Sequence, residues 1–190
     1  MTEKRILIHS LPDPLDLFKL WFEEASNKEI NDPNAMNLST VSSDLKPSSR
    51  MVLLKNFNNR GFIFYSNINS KKGLSILNNP NVALNFHWKT LLRQVRIEGI
   101  IKQISSVESD KYFQSRGEES KIGAWASNQS SELSERIKLE ESISYYKKKF
   151  KDKIITRPPY WNGFNVTPNL IEFWQDMPFR LHDRLEYKKE

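Results

Sequence analysis

The stretch NVALNFHWKTLLRQVRIEGIIKQIS, residues 81–105, decides the fold. Its two parts, residues 81–88 and 91–105, are rich in β-branched and aromatic side chains, which is typical of β-strands. Runs of the same kind lie upstream, at residues 35–43, 48–57 and 61–67. Turn-forming segments separate these runs, and NFNNRG, residues 56–61, predicts a hairpin. Because the strands follow one another through short connections, they predict an antiparallel sheet.

Helices are predicted before and after these strands. Residues 14–28 form the first predicted helix, with Asp13 as its N-cap and Pro14 at its first position. Apolar side chains recur there at helical spacing, at Leu15, Phe18, Trp21, Phe22 and Ala25. Further helices are predicted at residues 106–116 and 131–150, and two last strands at residues 169–175 and 179–187. The predicted fold is therefore mainly β with flanking helices (α+β), its antiparallel sheet closed as a barrel.

The composition limits the classes of function. The chain has 190 residues, of which 38% are hydrophobic and 12% aromatic, and this suits one globular domain with a packed core. Its net charge of +6 favours an anionic partner, such as nucleic acid, an anionic membrane or a phosphorylated small molecule. The absence of cysteine excludes disulfides, thiolate metal sites and cysteine nucleophiles.

Neither a metal site nor a membrane segment is indicated by the sequence. His9, His87 and His182 lie too far apart for a metal-ligand motif. No apolar run approaches the roughly 20 residues that a membrane helix needs. We therefore expect a cytoplasmic protein without a metal.

Two adjacent lysines occupy an electrostatically unfavourable position. Ser70 is a good N-cap for a short helix at residues 71–78, whose first turn carries Lys71 and Lys72. The helix dipole disfavours cations there by a few tenths of a kcal/mol up to roughly 1 kcal/mol. An anion bound at the helix start would reverse this sign. Two solvated surface lysines would account for the pattern more simply, so both interpretations stay open.

Other polar side chains interrupt the predicted strands. Arg50 and Lys55 bracket the run MVLL and would point to opposite faces of a regular strand, so either a bulge or two different ligands are expected. Gln94 suits a flat heteroaromatic ligand, or equally a satisfied polar group of the core. Gln129 and Ser130 are uncharged donors in a predicted loop.

A further cluster lies in YFQSRGEESKIG, residues 112–123. Tyr112, Arg116 and Ser120 recur every fourth residue, so one helical face could present a phenol, a guanidinium and a hydroxyl. Such a set suits a phosphate, because Arg offers a planar fork of donors. Gly117 would weaken this interpretation if it ended the helix before Ser120.

Three cationic side chains alternate near the end of the chain, in FWQDMPFRLHDRL, residues 173–185. If the segment is a strand, Arg180, His182 and Arg184 leave one face. Groups of like charge at this spacing predict an anion against that face.

The whole pattern resembles the pyridoxine (pyridoxamine) 5′-phosphate oxidase family. The matching motifs follow the family's order from about residue 12 to residue 187, and they are RMVLLK, FYSNINSKK, NPNVALNFHW, RQVRIEG, KYFQSR, SKIGAWASNQSS, PPYWNGF, IEFWQ and RLHDR. The resemblance implies an FMN-binding split barrel, with residues 1–190 as one domain and residues 1–12 as a flexible arm. It also implies a homodimer with FMN at the subunit interface. The implied reaction oxidises pyridoxine 5′-phosphate or pyridoxamine 5′-phosphate to pyridoxal 5′-phosphate with oxygen.

The same resemblance implies the site residues. FMN would contact Arg50, Met51, Val52, Leu53, Leu54, Lys55, Tyr65, Ser66, Lys71, Lys72, Gln94, Gln129, Ser130, Trp174 and Arg184. The substrate would contact Lys55, Tyr112, Arg116 and Ser120 through its phosphate, and Arg180, Leu181 and His182 around its ring. Arg180 and His182 are the expected catalytic pair, and we expect them to orient and polarise the substrate.

Three departures from the family pattern accompany this match. Lys71 stands where arginine is more common, which replaces a fork of donors with a point charge. Ser66 replaces a common threonine. Relatives continue beyond the position of Glu190 through another strand and also have a longer N-terminal arm, so lower activity is expected.

Two rival functions come from different classes. A split-barrel protein could bind FMN and act on another substrate, or on none. A nucleic-acid-binding domain would explain the basic excess, but the cations are interspersed with acidic residues and form no continuous stripe.

Overall fold

The computed structural model describes residues 6–189, and eight strands in it form one curled antiparallel sheet, a split barrel. The strands are β1 (Ala35–Val41), β2 (Pro47–Leu53), β3 (Asn56–Asn58), β4 (Gly61–Asn67), β5 (Asn81–Trp88), β6 (Arg93–Gln103), β7 (Trp161–Gln175) and β8 (Asp183–Lys188). Their order in the sheet is β2-β1-β5-β6-β7-β4-β3, and β8 pairs with β7. The predicted fold class is confirmed.

Strand β7 joins the two halves of the barrel. Its first part pairs with β4, its last part pairs with β8, and β6 runs along its other edge. The predicted strand at residues 169–175 covers only the second half of β7, because glycine and proline, here Gly163 and Pro168, usually interrupt strands. Pro168 lies opposite Gly99, where the register between β6 and β7 shifts at a bulge. A bulge is one of the few places where a sheet accommodates proline.

The hairpin between β3 and β4 is confirmed. Asn56 pairs with Ile63, and Asn58 pairs with Gly61. Gly61 has a φ of +128°, and a Cβ atom there would lie 2.0 Å from the Val166 carbonyl oxygen. Only glycine satisfies both the turn and this close approach to β7.

Five α-helices flank the sheet in the described range, namely α1 (Pro14–Lys28), α2 (Lys71–Asn78), α3 (Ser106–Gln114), α4 (Glu118–Ala126) and α5 (Arg136–Lys149). Helix α1 has the predicted bounds, and Asp13 caps it through its side chain. Helix α4 was not predicted, and α5 begins five residues later than expected. None of the helices within residues 6–189 has both the length and the apolar character needed to cross a membrane.

Two apolar clusters fix the helices on the sheet. Phe18 of α1 is fully buried, and its ring lies 4.9 Å from Phe62 and 5.2 Å from Phe86, measured between centroids. A smaller cluster around Phe113, Ile122 and Trp161 holds α3 and α4 against β7. This second cluster positions the helices that carry the predicted phosphate ligands.

The predicted flexible arm, residues 1–12, falls partly on residues 1–5, which lie outside the described residues. Within its remaining part, the Ile8 backbone N–H donates to Asp183 Oδ2 at 2.6 Å. The Leu11 N–H donates to the Tyr187 hydroxyl at 3.0 Å. These bonds connect the segment with β8.

Candidate functional site

A concavity of about 390 Å³ lies between β4, helix α4 and the loop that follows α4. Five predicted residues from three separate motifs line it, namely Tyr65, Ser66, Arg116, Ser120 and Gln129. We call it the central concavity. Chain folding thus brings together polar groups that are up to 64 positions apart, from 65 to 129.

Lys72 lies beside this concavity and is nearly buried, with 7% of its surface exposed. Its Nζ donates to Ser70 Oγ at 3.1 Å and to Gln129 Oε1 at 3.2 Å. The Ser66 hydroxyl donates to the same Gln129 oxygen at 3.4 Å. Ser70 caps α2 as predicted, accepting a bond from the Gly73 N–H. Lys71 is exposed, so the two neighbouring lysines have different environments.

A second cation, Arg50, lies close enough to Lys72 to affect it electrostatically. The Arg50 guanidinium donates to the Leu38 carbonyl, Thr40 Oγ1 and Ser48 Oγ at 3.1, 2.8 and 2.6 Å. Burial lowers the pKa of Arg50. Burial and, secondarily, the Arg50 charge lower the pKa of Lys72 to about 8. Neither Arg50 nor Lys72 forms an ion pair within residues 6–189. The two side chains therefore form a cationic site without a carboxylate counterpart in the described chain.

The other residues of the RMVLLK motif are distributed along an edge of the sheet. Strand β2 ends at Leu53, so the predicted strand at residues 48–57 is broken before Lys55. Arg50 thus lies on β2 and Lys55 beyond its end, so the two side chains do not share one regular strand. Met51 and Leu53 are exposed, Val52 is half-buried, and Leu54 is buried. Ser130 is exposed and has a φ of 69°.

Aromatic rings form the wall of the central concavity. The rings of Tyr65 and Tyr112 stack with centroids 3.9 Å apart, and Trp161 lies 5.0 Å from Tyr65 on a nearly parallel plane. Burial raises the pKa of Tyr65 to about 12 and raises the pKa of Tyr112. Both phenols therefore stay neutral hydrogen-bonding groups at physiological pH.

Arg116 lies on this wall with its guanidinium 4.8 Å from the Trp161 ring centroid. Its Nη1 is buried, and no hydrogen-bond acceptor contacts it within the described chain. Burial lowers the pKa of Arg116, with the neighbouring Tyr112 opposing that shift. A buried cationic donor without an acceptor is costly, so this position suits an anionic ligand.

The helical face predicted for the phosphate ligands is wrong. Helix α3 ends at Gln114, and Gly117 is the N-cap of the separate helix α4, so Tyr112, Arg116 and Ser120 do not share one helix. Arg116 and Ser120 line the central concavity. Tyr112 and Lys55 line a neighbouring hollow of about 400 Å³, which also contacts Tyr65.

A second group of predicted residues forms a row across three strands. Gln94 on β6 pairs with Trp174 on β7, and Trp174 pairs with Arg184 on β8. Paired residues of an antiparallel sheet project from the same face. Sheet register thus places an amide, an indole and a guanidinium side by side.

Carboxylates of the chain itself contact two of the three side chains for which an anionic ligand was predicted, Arg184 and His182. Glu172 is 2% exposed, and its Oε2 accepts bonds from Nε (3.0 Å) and Nη2 of Arg184. Arg96 Nε lies 3.4 Å from the other Glu172 oxygen. His182 Nδ1 lies 3.1 Å from Asp176 Oδ1. The inference that only a ligand could neutralise these groups is therefore wrong for Arg184 and His182.

The segment before β8 is a turn rather than a strand. Residues 178–180 form a 3₁₀ turn, and Phe179 and Arg180 both have positive φ values, 59° and 62°. The predicted strand at residues 179–187 begins only at Asp183, so the common face of Arg180, His182 and Arg184 is wrong. Arg180 and Leu181 are exposed, and His182 packs on Trp174 with ring centroids 4.6 Å apart. Consecutive bulky residues at positive φ are strained, and such strain concentrates at functional sites.

Several residues that the sequence did not single out support these groups. Glu172 and Asp176 contact predicted ligands, and Trp161 contacts Arg116. A glutamate inside the apolar strand IEFWQ was the available signal for Glu172. Nothing local indicated Asp176 or Trp161, because their partners lie on other elements.

Comparisons with known proteins agree along nearly the whole chain. The sequence profile described as pyridoxamine 5′-phosphate oxidase matches residues 22–148. The profile described as pyridoxine 5′-phosphate oxidase C-terminal dimerisation region matches residues 161–190.

Curated relatives are similar over most of their length. A protein of Pelagibacter ubique named pyridoxine/pyridoxamine 5′-phosphate oxidase is 51% identical over 94% of this chain and 86% of its own. A protein of the same name from Bartonella quintana is 54% identical over 93% of this chain and 86% of its own. One similar solved structure is PhzG from Burkholderia lata, in complex with tetrahydrophenazine-1-carboxylic acid. It superposes with a TM-score of 0.88 at 27% identity, and the match covers 97% of this chain and 94% of that one.

Proposed function

Since the chain belongs to the pyridoxine/pyridoxamine 5′-phosphate oxidase family, we propose that it is an FMN-dependent oxidase. It converts pyridoxine 5′-phosphate or pyridoxamine 5′-phosphate to pyridoxal 5′-phosphate. The observation that carries the proposal is the presence of two cationic positions, the buried Lys72 with the half-buried Arg50, and the half-buried Arg116, for which residues 6–189 provide no carboxylate. Both the cofactor and the substrate bear a phosphate, so two phosphate sites are needed.

The residues around Lys72 fit the phosphate of FMN. Lys72, Arg50 and Ser66 present donors, and the start of α2 adds free backbone N–H groups. A phosphate would give the Lys72 ammonium the counter-charge that the described chain lacks. The exposed Lys71 can reach the same anion from solvent, as a point charge.

The row of Gln94, Trp174 and Arg184 fits the flavin ring system, which offers donors, acceptors and a flat surface. No hydrogen bond or ring contact between described residues joins this row to the central concavity. We infer that a second copy supplies the missing half, so that the row of one protomer meets the concavity of its partner. The match of residues 161–190 to a dimerisation region supports this homodimer.

Arg116, with Ser120, Lys55 and Tyr112, holds the phosphate of the substrate. The guanidinium offers two parallel N–H donors. Its Nη1 is already buried, so a hydrogen bond from Nη1 to a phosphate oxygen requires no further desolvation of the guanidinium. Arg180 and His182 orient the pyridine ring from the turn before β8. FMN, when bound, supplies the hydride acceptor and the reaction with oxygen.

The test is spectroscopic. Purified protein should carry a flavin absorption spectrum, release FMN on denaturation, and bleach under anaerobic conditions when pyridoxine 5′-phosphate is added. Oxygen consumption with pyridoxine 5′-phosphate and with pyridoxamine 5′-phosphate identifies the preferred substrate. A flavin that neither compound bleaches would exclude this activity and favour a split-barrel protein with another substrate. A colourless protein that binds DNA in a salt-dependent manner would favour the nucleic-acid alternative.

A further inference from the structure

His182 has two neighbours at the same ring nitrogen. Its Nδ1 lies 3.1 Å from Asp176 Oδ1 and 3.3 Å from the Met177 backbone nitrogen. The Asp176 backbone N–H donates to the Leu92 carbonyl at 2.9 Å, which anchors the aspartate at the end of β7. On its flat side the imidazole packs against Trp174. The ring is therefore held in one orientation by groups that the proposed reaction does not use.

The two neighbours of Nδ1 require opposite protonation states. A carboxylate oxygen accepts a hydrogen bond, so Asp176 needs a proton on Nδ1. The Met177 N–H donates, so it needs a lone pair on Nδ1. In a neutral imidazole one nitrogen carries the proton and the other the lone pair, and the partner at one nitrogen thus selects the state of the other.

The other charged groups near His182 are engaged elsewhere. The Asp183 carboxylate accepts the Ile8 N–H, and the Arg184 guanidinium is bound to Glu172. Arg180 is exposed on the preceding turn. Among the described residues, Asp176 is the carboxylate in contact with the His182 ring.

We propose that Asp176 is a positioning residue for His182. Its carboxylate holds the proton on Nδ1, so that Nε2 of the neutral ring points its lone pair away from the turn as a hydrogen-bond acceptor. The inference rests on the proposed function, in which His182 orients the substrate: Nε2 then accepts a hydrogen bond from the hydroxyl or amino group that is oxidised. Without Asp176, the Met177 N–H captures Nδ1, and Nε2 becomes a donor with the wrong polarity for this contact.

Nitrogen NMR of the FMN-loaded protein tests the tautomer directly. The chain has only three histidines, so ¹⁵N-histidine labelling gives a simple spectrum, and His182→Gln identifies the His182 signals. Spectra are recorded across a pH series, and the tautomer is read where the ¹⁵N shifts themselves show a neutral ring. The wild-type ring should be protonated at Nδ1. Asp176→Leu, which keeps the bulk, and Asp176→Ala, which removes it, should both move the proton to Nε2.

Kinetics provide the second measurement. Both Asp176 variants should lose about 10-fold or more in kcat for pyridoxine 5′-phosphate with little change in KM, because hydrogen-bond polarity at the reacting group is altered. In a His182→Gln background the Asp176 substitutions should cost nothing further. Asp16→Ala, which removes an exposed carboxylate on α1, is the matched control and should leave the His182 signals and kcat unchanged.

The two measurements separate the two proposals. If His182 keeps the same tautomer in both Asp176 variants, or if the kcat losses of Asp176→Leu and His182→Gln are additive, the positioning role is overturned. If the tautomer switches as expected but wild-type protein oxidises neither pyridoxine 5′-phosphate nor pyridoxamine 5′-phosphate, the Asp176–His182 coupling stands and the proposed function is overturned.

Discussion

Replacing Lys72 with methionine should stabilise the FMN-free protein while weakening its binding of FMN. Lys72 is 7% exposed, and its pKa falls from 10.5 to about 8. At about 1.4 kcal/mol per pKa unit, that difference corresponds to about 3 kcal/mol of cost for keeping the ammonium charged in the fold. Methionine has similar length and no charge, so it removes this cost. It also removes the ammonium from Ser70 Oγ and Gln129 Oε1, but each oxygen keeps another donor, the Gly73 N–H or the Ser66 hydroxyl, so this loss amounts to about 1 kcal/mol.

The net expectation is a free energy of unfolding about 2 kcal/mol higher at pH 7 for the FMN-free Lys72→Met protein, measured by urea denaturation. The pH dependence follows from the sign of the shift. Below pH 8 the lysine is charged in both the folded and the unfolded chain, so the full cost is present. Between pH 8 and 10.5 the folded state loses the proton first, and the cost disappears. The advantage of the variant should therefore shrink as pH rises through this window.

FMN binding should respond in the opposite direction. A hydrogen bond between a charged donor and a phosphate contributes about 1.5–3 kcal/mol, so Lys72→Met should weaken FMN about 10- to 100-fold in a fluorescence titration. Lys71→Met is the matched control for stability, because Lys71 is the exposed neighbour on the same helix turn. It should change the free energy of unfolding by no more than roughly 1 kcal/mol. A Lys72→Met protein less stable than wild type, or with an advantage independent of pH, would refute the reasoning.

Three further substitutions test other parts of the site. Arg116→Ala should raise KM for pyridoxine 5′-phosphate about 100-fold in steady-state assays with little loss of kcat, because it removes a charge-assisted contact to the phosphate. An unchanged KM would show that Arg116 does not bind the substrate. Arg180→Ala should lower kcat as well as raise KM, and a pure KM effect would contradict an orienting role at the reacting centre. Glu172→Gln should lower the midpoint of urea denaturation, because Arg184 and Arg96 lose the carboxylate that they share. An unchanged midpoint would mean that solvent replaces this carboxylate at the two exposed guanidiniums.

Local patterns predicted the elements with strong periodicity. Helix α1 and strands β4 and β5 have the predicted bounds, and Ser70 caps α2 as expected. In these segments the alternation of apolar residues, the caps and the turns all favour one structure, and agreement between these signals makes an element recognisable. Helix α4 was not predicted, and the sequence left open whether the face of Tyr112, Arg116 and Ser120 continues past Gly117.

The site was predicted less completely than the fold. Local patterns singled out the cationic residues and a family resemblance supplied their expected roles, and the structure brings Ser66, Arg116 and Gln129 to one concavity. It also shows two contacts that no spacing rule contains, between Arg184 and Glu172 and between His182 and Asp176. The turn at residues 178–180 was missed because its positive φ values involve Phe179 and Arg180, residues that do not signal such a turn.

The sequence by itself determined which side chains carry charge and where most of the strands and helices lie, since these follow from neighbours within a few positions. Only the tertiary structure decided which cations have a carboxylate and which do not. Arg184 meets an acidic partner across a hairpin, while the buried Lys72 and the half-buried Arg50 and Arg116 have none among residues 6–189. The physical reason is that burial and pairing depend on side chains that are remote in sequence, and those two factors decide whether a cation is a structural contact or a ligand site.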